Sequence, residues 1–122
     1  MAVWLTAALA AASVSSIPAA GDPAHGAKVF ASICGTCHSA ARPPRDVVGP
    51  SLYGVIGRKA GSKPGFSYSK AMAAAGFVWT PDQLQAYIAK PQAIVPGNRM
   101  PFSGLPNPKD RADVVGFLNE QR

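Results

Sequence analysis

The sequence has few acidic residues, few cysteines and few histidines, and its first 20 residues carry no charged side chain at all. Six Asp and Glu stand against 12 Lys and Arg, which gives a net charge of +6. Two cysteines are too few for a disulfide-stabilised scaffold. A hydrophobic content of 48% excludes an intrinsically disordered chain, and a length of 122 residues excludes a multidomain enzyme.

The uncharged beginning of the chain has the composition of an export signal. An Ala-rich apolar run extends from Ala2 to Ile17 and is followed by small residues up to Gly21. It is short for a membrane span, which usually needs about 20 apolar residues. The absence of Lys and Arg before Lys28, and Pro18 near a cut after Ala20, are atypical. We expect residues 1–20 to be a cleaved leader and residues 21–122 to be the folded domain. An uncleaved short anchor and a buried Ala-rich helix are the alternatives.

The sequence shows no sustained strand-like alternation of apolar and polar residues, but it contains three clear helix-start signals. Three times a capping side chain precedes a proline that can occupy the first helical position, and apolar residues follow at helical spacing. These starts are Asp22-Pro23, Thr80-Pro81 and Asn107-Pro108. The second of these helices must end by Lys90, because Pro91 disfavours helix in the residue before it. A weaker Ala-rich helix is expected from Ser69 to Ala75, ending at Gly76. The sequence therefore predicts an all-α domain.

Two long segments of this all-α domain carry no helix signal. Residues 42–67 and 91–106 are rich in Gly and Pro and show no sustained alternation. Long loops without structure of their own are uncommon in a compact domain. We therefore expect these segments to wrap around a large apolar cofactor.

The motif Cys34-Gly35-Thr36-Cys37-His38 indicates which cofactor. A thioredoxin-like redox pair would need a βαβ context, which the chain lacks. A structural zinc site would need four ligands, and the adjacent Cys37 and His38 cannot easily both bind one tetrahedral ion. A plain disulfide would leave the long loops unexplained. The remaining interpretation is C-x-x-C-H, the attachment site of c-type haem, with His38 delivered to one face of the iron.

A second axial ligand is expected from a methionine, because a soft thioether opposite His suits an electron carrier. Met100 lies between prolines in the segment Pro96 to Phe102, a constrained loop that could hold the sulfur in place. Met1 belongs to the leader, and Met72 is more typical of core packing. His25 is interpreted as a surface helix residue. Met100 is therefore the predicted sixth ligand.

Residues 21–122 resemble class I cytochrome c, in particular the mitochondrial type and its α-proteobacterial relatives. The resemblance implies the all-α cytochrome c fold, with three main helices, a short one, and long loops around one covalently bound haem. It also implies that Gly26 lets the first helix cross the last one closely near Phe117. The matching residues are Gly26, Phe30, residues 34–38, 49–54, 57–61, 64–68, Trp79, Tyr87, residues 96–102 and 111–113.

The resemblance also implies roles for individual residues around the haem. Pro50 would accept a hydrogen bond from the nitrogen of His38 that faces away from iron. Arg58, Tyr68 and Trp79 would bind the haem propionates, and Tyr87 would lie close to the Met100 sulfur.

The chain departs from the family pattern at three places. Asn98-Arg99 stand where Thr and Lys are common, and Met72 replaces an Asn near the haem. Residues 41–46 also differ from the usual Lys- and Gly-rich segment. The change at Met72 bears on the strength of the Met100 bond.

The function implied by the resemblance is electron transport rather than catalysis. A soluble, monomeric monohaem carrier in the periplasm would take electrons from a quinol–cytochrome c reductase or a periplasmic dehydrogenase and pass them to a terminal oxidase through an exposed haem edge. If the leader stays in place, the protein would be membrane-associated.

Basic residues, including Arg42, Arg45, Lys90 and Arg99, would attract the acidic docking surfaces of these partners. No nucleic-acid-binding motif accompanies the charge.

Two alternatives remain at this stage. One is a haem protein with a labile sixth ligand that acts as a gas binder or weak peroxidase. The other is a subunit docked to a dehydrogenase.

Overall fold

The helices begin where capping residues precede prolines. The computed structural model describes residues 2–4 and 18–122. Its helices, in chain order, are α1 (Pro23–Val29), α2 (Lys70–Ala73), α3 (Pro81–Ala89), α4 (Pro91–Ile94) and α5 (Pro108–Glu120). Asp22, Thr80 and Asn107 cap α1, α3 and α5 with their side-chain oxygens. The three predicted main helices are therefore confirmed.

The predicted leader, residues 1–20, lies largely outside the described residues. Immediately before residue 21, Ala20 packs against the core, and the Gln85 amide donates to the Ala19 carbonyl at 3.2 Å. No helix within residues 2–4 and 18–122 combines the length and apolarity needed to cross a bilayer.

The end of α1 widens into a π-helical turn, Phe30–Cys34, that the sequence did not predict. Gly35 N–H donates to the Phe30 carbonyl at 2.8 Å, five residues back. Apolar spacing over one turn does not distinguish a π turn from an α turn, and such turns are often found at functional sites. This turn delivers Cys34 to the site described below.

Two short helices lie in the long connections. The Ala-rich helix was predicted from Ser69 to Ala75, and α2 occupies its centre, with Ser69 accepting from Met72 N–H at 3.1 Å. The helix α4 lies in a segment that was predicted to be loop throughout. A single turn that begins at Pro91 is too short to show a helical period, so the sequence gives no signal for it.

Residues 57–60 and 77–79 run antiparallel in an isolated bridge between Lys59 and Val78. Trp79 N–H donates to the Arg58 carbonyl at 2.9 Å, and Gly57 N–H donates to the Trp79 carbonyl at 2.8 Å. The pairing is too short to produce a strand signal in the sequence. It places Arg58 and Trp79 next to each other.

The helices α1 and α5 cross in direct backbone contact. A Cβ at Gly26 would overlap the Asp113 carbonyl and lie 3.0 Å from Phe117 Cβ, and a Cβ at Gly116 would overlap the Gly21 carbonyl. The rings of Phe30 and Phe117 pack beside the crossing, 5.3 Å apart. The predicted close approach at Gly26 near Phe117 is confirmed.

His25 is more than the surface residue that the sequence suggested. Its Nδ1 lies 2.7 Å from Asp113 Oδ2, so it links α1 to α5, although its side chain is 42% exposed. The pairing spans 88 positions along the chain, and nothing local in the sequence indicates it.

Candidate functional site

A cavity of about 560 Å³ with mostly apolar walls opens between the π turn, α3 and the two long connections. All nine residues that the sequence analysis assigned to cofactor binding line this one cavity: Cys34, Cys37, His38, Pro50, Arg58, Tyr68, Trp79, Tyr87 and Met100. Met72, interpreted as core filler, lines it as well. These residues are spread along the chain from Cys34 to Met100, so the fold itself assembles the site.

A tight turn after the π helix brings the two thiols and His38 to the same wall. The Cys34 carbonyl accepts from both Cys37 N–H, at 3.1 Å, and His38 N–H, at 2.9 Å. Burial, with a further contribution from Cys37, raises the pKa of the Cys34 thiol to about 11. The thiol is therefore protonated at neutral pH.

The His38 ring is fixed by the loop that follows it. Its Nδ1 donates to the Pro50 carbonyl at 2.7 Å. Because a carbonyl can only accept, Nδ1 carries the proton and Nε2 keeps its lone pair. Burial lowers the pKa of His38, the Arg58 charge acts in the same direction, and the Pro50 hydrogen bond opposes both. A neutral imidazole with a free Nε2 is the form that binds a metal.

Gly49 is needed for this arrangement. A Cβ at Gly49 would lie 2.8 Å from the His38 Nδ1 and would overlap the ring. Gly49 N–H also donates to the Cys37 carbonyl at 2.8 Å, which ties the loop to the C-x-x-C-H turn. A side chain at this position would push the ring or the loop away.

The loop that carries Met100 is held by an asparagine. Asn98 is only 8% exposed, and its Oδ1 accepts from Met100 N–H at 2.9 Å while its Nδ2 donates to the Val95 carbonyl at 2.9 Å. The Gln92 amide donates to the Asn98 carbonyl at 3.0 Å. The main chain that presents the thioether is therefore fixed by side chains rather than by a regular element.

Sequence reasoning noted Asn98 only as a departure from the family and missed Gln92. An Asn two residues before the candidate ligand, in a Pro-Gly loop, was the signal for an Asn turn. Gly49 was noticed as a matching residue, but its contact with His38 could not be read from the sequence.

The polar side chains at the cavity leave donors available to a ligand. Arg58 uses Nη2 on the Ser51 carbonyl at 3.0 Å. The Tyr68 hydroxyl accepts from Lys63 N–H at 3.2 Å, so its own proton is free to be donated. Trp79 is 6% exposed and packs edge-on against Tyr87, with ring centroids 5.0 Å apart. Burial raises the pKa of Tyr87 to about 12, so its hydroxyl stays protonated.

This set of side chains fits a c-type haem. The two thiols can form thioethers, His38 Nε2 and the Met100 sulfur are donors that iron accepts, and the apolar walls match a porphyrin. Arg58, Tyr68 and Trp79 supply positive charge and N–H or O–H donors for carboxylates, which are costly to bury without partners.

Comparison with known proteins agrees with this chemistry. No family model matches the sequence. The chain is 50% identical over 98 residues to cytochrome c2 of Rhodopila globiformis, a match that covers 80% of this chain and 92% of that protein. The chain belongs to the class I cytochrome c family.

Other relatives support the same assignment. The cytochrome is 48% identical to cytochrome c2 of Rhodomicrobium vannielii, over 88% of this chain and 85% of that protein. It is 40% identical to cytochrome c of Arabidopsis thaliana, over 88% of this chain and 96% of that one. Among solved structures, cytochrome cH from Methylobacterium extorquens superposes with a TM-score of 0.75 at 38% identity, covering 81% of this chain and 98% of that chain.

Family membership settles the class of function. This cytochrome c carries covalent haem c, with Cys34 and Cys37 spaced as in the C-x-x-C-H attachment motif. It is a monohaem electron carrier and not an enzyme. The alternative of a weak peroxidase is therefore wrong. The all-α cytochrome c fold expected from the resemblance is confirmed.

Proposed function

We propose that this cytochrome c is a periplasmic carrier with His38 and Met100 as the iron ligands. It would pass single electrons from a quinol–cytochrome c reductase or a periplasmic dehydrogenase to a terminal oxidase. The observation that carries the proposal is the convergence of Cys34, Cys37, His38 and Met100 on one mostly apolar cavity.

When bound, haem supplies a one-electron couple, because its iron alternates between the ferrous and ferric states. The chain's part is to hold both ligands still in either state. His38 is restrained by Gly49 and Pro50, and Met100 by Asn98. Side chains that do not move between the two states keep the reorganisation on electron transfer small.

Three polar residues would bind the haem carboxylates at the cavity wall. Arg58 would offer positive charge, and Tyr68 and Trp79 would offer an O–H and an N–H donor. Burial lowers the pKa of Arg58 below its ordinary value, while Tyr68 and Asp46 raise it, and a guanidinium stays charged at neutral pH. A charged partner at this depth is what an otherwise costly buried carboxylate requires.

The rim of the cavity supports a docking role. Ile33 and Val48 line the cavity and are 44% and 67% exposed, and the exposed Arg99 also lines it. The net charge of +6 would attract an acidic partner from a distance, while the small apolar patch would allow contact without tight binding. Reduction by the partner should therefore slow as salt is added.

Absorption spectra of the holoprotein, together with one pair of variants, test the ligand assignment. We expect sharp low-spin bands in the reduced form and a sulfur-to-iron charge-transfer band in the oxidised form. Met100→Ala should keep the covalent haem, lower the potential and let carbon monoxide bind, because the soft ligand is removed. Met72→Leu is the matched control and should keep the charge-transfer band. An unchanged spectrum in Met100→Ala would show that another residue is the sixth ligand.

Export and assembly state can be tested on the same preparation. We expect the protein in the periplasmic fraction, with a mass that corresponds to cleavage after Ala20 plus one haem. We also expect a monomer by light scattering, since a carrier that meets several partners must leave one face free. A full-length mass in the membrane fraction would indicate an uncleaved anchor instead.

A further inference from the structure

One peptide group links the His38 ring to a charged pair outside the cavity. The Pro50 carbonyl accepts from His38 Nδ1–H at 2.7 Å. The N–H of the same peptide group is that of Ser51, and it donates to Asp46 Oδ1 at 2.8 Å. Both ends of this peptide dipole are therefore engaged, one by the ring and the other by a carboxylate.

Asp46 is in turn paired with a cation from another loop. Lys63 Nζ lies 2.9 Å from Asp46 Oδ1 and 3.0 Å from Oδ2, and the two side chains are 19% and 28% exposed, respectively. The hydrogen bond from Ser51 and then that from Lys63 hold the pKa of Asp46 below its usual value, so the group is a carboxylate at neutral pH. Neither Asp46 nor Lys63 lines the cavity, and the sequence analysis assigned neither of them to the cofactor site.

The Pro50–Ser51 peptide, which lies between the His38 ring and Asp46, is held by further hydrogen bonds. Ser51 is fully buried, its carbonyl accepts from Arg58 at 3.0 Å, and its hydroxyl accepts from Tyr53 N–H at 3.2 Å. The next residue, Leu52, donates its N–H to the Ser39 carbonyl at 2.8 Å. The Pro50–Ser51 peptide is therefore held by hydrogen bonds on both of its sides.

We propose that Asp46 and Lys63 are positioning residues that set the electron donation of His38 through the Pro50–Ser51 peptide group. A carboxylate that accepts from the Ser51 N–H polarises the peptide and makes the Pro50 oxygen a stronger acceptor, since hydrogen bonds in a chain strengthen one another. A stronger acceptor on Nδ1–H makes the imidazole a better donor at Nε2 and favours the ferric state. Lys63 moderates the effect by withdrawing charge from Asp46. The proposal rests on the proposed ligation of iron by His38.

Two substitutions with opposite expected signs provide the test. In the holoprotein, Asp46→Asn keeps an oxygen near the Ser51 N–H but removes the charge, so the ferrous state should be favoured. Lys63→Gln leaves the carboxylate uncompensated, so the ferric state should be favoured. We expect each to change the ratio of reduced to oxidised protein at a fixed electrode potential by two- to tenfold, where tenfold corresponds to about 59 mV for one electron.

The His38 ring proton distinguishes the peptide route from a field that acts through space. In the ferrous protein, the Nδ1–H resonance should move upfield and exchange faster in Asp46→Asn, and should move downfield in Lys63→Gln. Lys59→Gln is the control, because Lys59 is an exposed cation next to Arg58 in the chain and outside the hydrogen-bonded path. It should leave the Nδ1–H resonance in place.

Three results would overturn the proposal: potentials that shift in the same direction in both variants, potentials that do not shift, or potentials that shift while the ring proton stays unmoved. Lys63→Gln alters only the outer end of the path and provides a test even if Asp46→Asn folds poorly. Failure of the proposed function is recognised separately, because the wild-type holoprotein would then lack the low-spin spectrum of His and Met ligation.

Discussion

The crossing of α1 and α5 and the wall of the haem cavity are held together in opposite ways. At the crossing, α1 and α5 touch backbone to backbone at Gly26, and Gly116 of α5 touches the backbone of Gly21 just before α1. At the cavity wall, loops without regular structure are fixed by single side chains such as Asn98 and Asp46. The first region is complete in the chain itself, whereas the second is arranged around a space that the haem must fill.

The difference shows how a small domain can devote so much of its chain to loops. A domain of about 100 residues buries a modest core, and here part of that core is contributed by the cofactor. Covalent attachment through Cys34 and Cys37 prevents the loss of that part. The cavity wall should therefore depend on haem far more than the helix crossing does.

The largest expected effect comes from breaking this dependence with Cys37→Ala. Loss of one thiol should prevent normal attachment of haem, and without it we expect a largely unfolded chain, because the apolar wall is left without its partner. Mass spectrometry for the thioethers and far-ultraviolet circular dichroism measure both effects. Ser32→Ala, an exposed change on the π turn, is the control and should mature normally. A Cys37→Ala product with two thioethers would contradict the attachment site.

The contrast between regular helices and loops fixed by single side chains also explains how much of the fold and of the site could be predicted from the sequence. Helix starts and the C-x-x-C-H motif are local patterns, so Pro23, Pro81, Pro108 and residues 34–38 could be placed without a structure. The family resemblance added Pro50 and Arg58, which no local pattern indicates. The π turn and α4 were missed because a single turn shows no period. The Asp46–Lys63 pair was missed because it joins two loops 17 residues apart.

An intermediate effect should follow from separating the crossing helices with Gly26→Ala. The new methyl group would overlap the Asp113 carbonyl, a backbone atom that cannot move alone, so we expect a loss of about 3 kcal/mol in the free energy of unfolding. Urea unfolding of the holoprotein measures it. Gly76→Ala is the matched control: Gly76 has a φ of +78° but its Cβ would lie 3.9 Å from the nearest atom, so only backbone strain of about 1 kcal/mol is expected. Equal losses in the two variants would show that the crossing is not tightly packed.

The smallest expected effects come from the charges at the same crossing. Burial alone would raise the pKa of Asp113, but hydrogen bonds from Lys109, the Asp22 N–H and His25 lower it to about 2. The stabilising contribution of such a carboxylate is complete above its unfolded-state pKa of about 3.9 and is lost as the pH falls through its folded-state value. Asp113→Asn keeps an oxygen that accepts from the Asp22 N–H but removes the charge that pairs with Lys109. We therefore expect a loss of about 2 kcal/mol in the free energy of unfolding at pH 7.

The loss in the free energy of unfolding caused by Asp113→Asn should shrink as wild-type Asp113 is protonated, between about pH 4 and pH 2. Urea unfolding at pH 7, 5 and 3 measures the difference between the two proteins. Lys109→Gln removes the most exposed partner of the carboxylate. Because the Lys109 side chain is 67% exposed, this change should cost less than Asp113→Asn and should matter less in high salt. If Lys109→Gln were as damaging as Asp113→Asn, the crossing would depend on a surface ion pair.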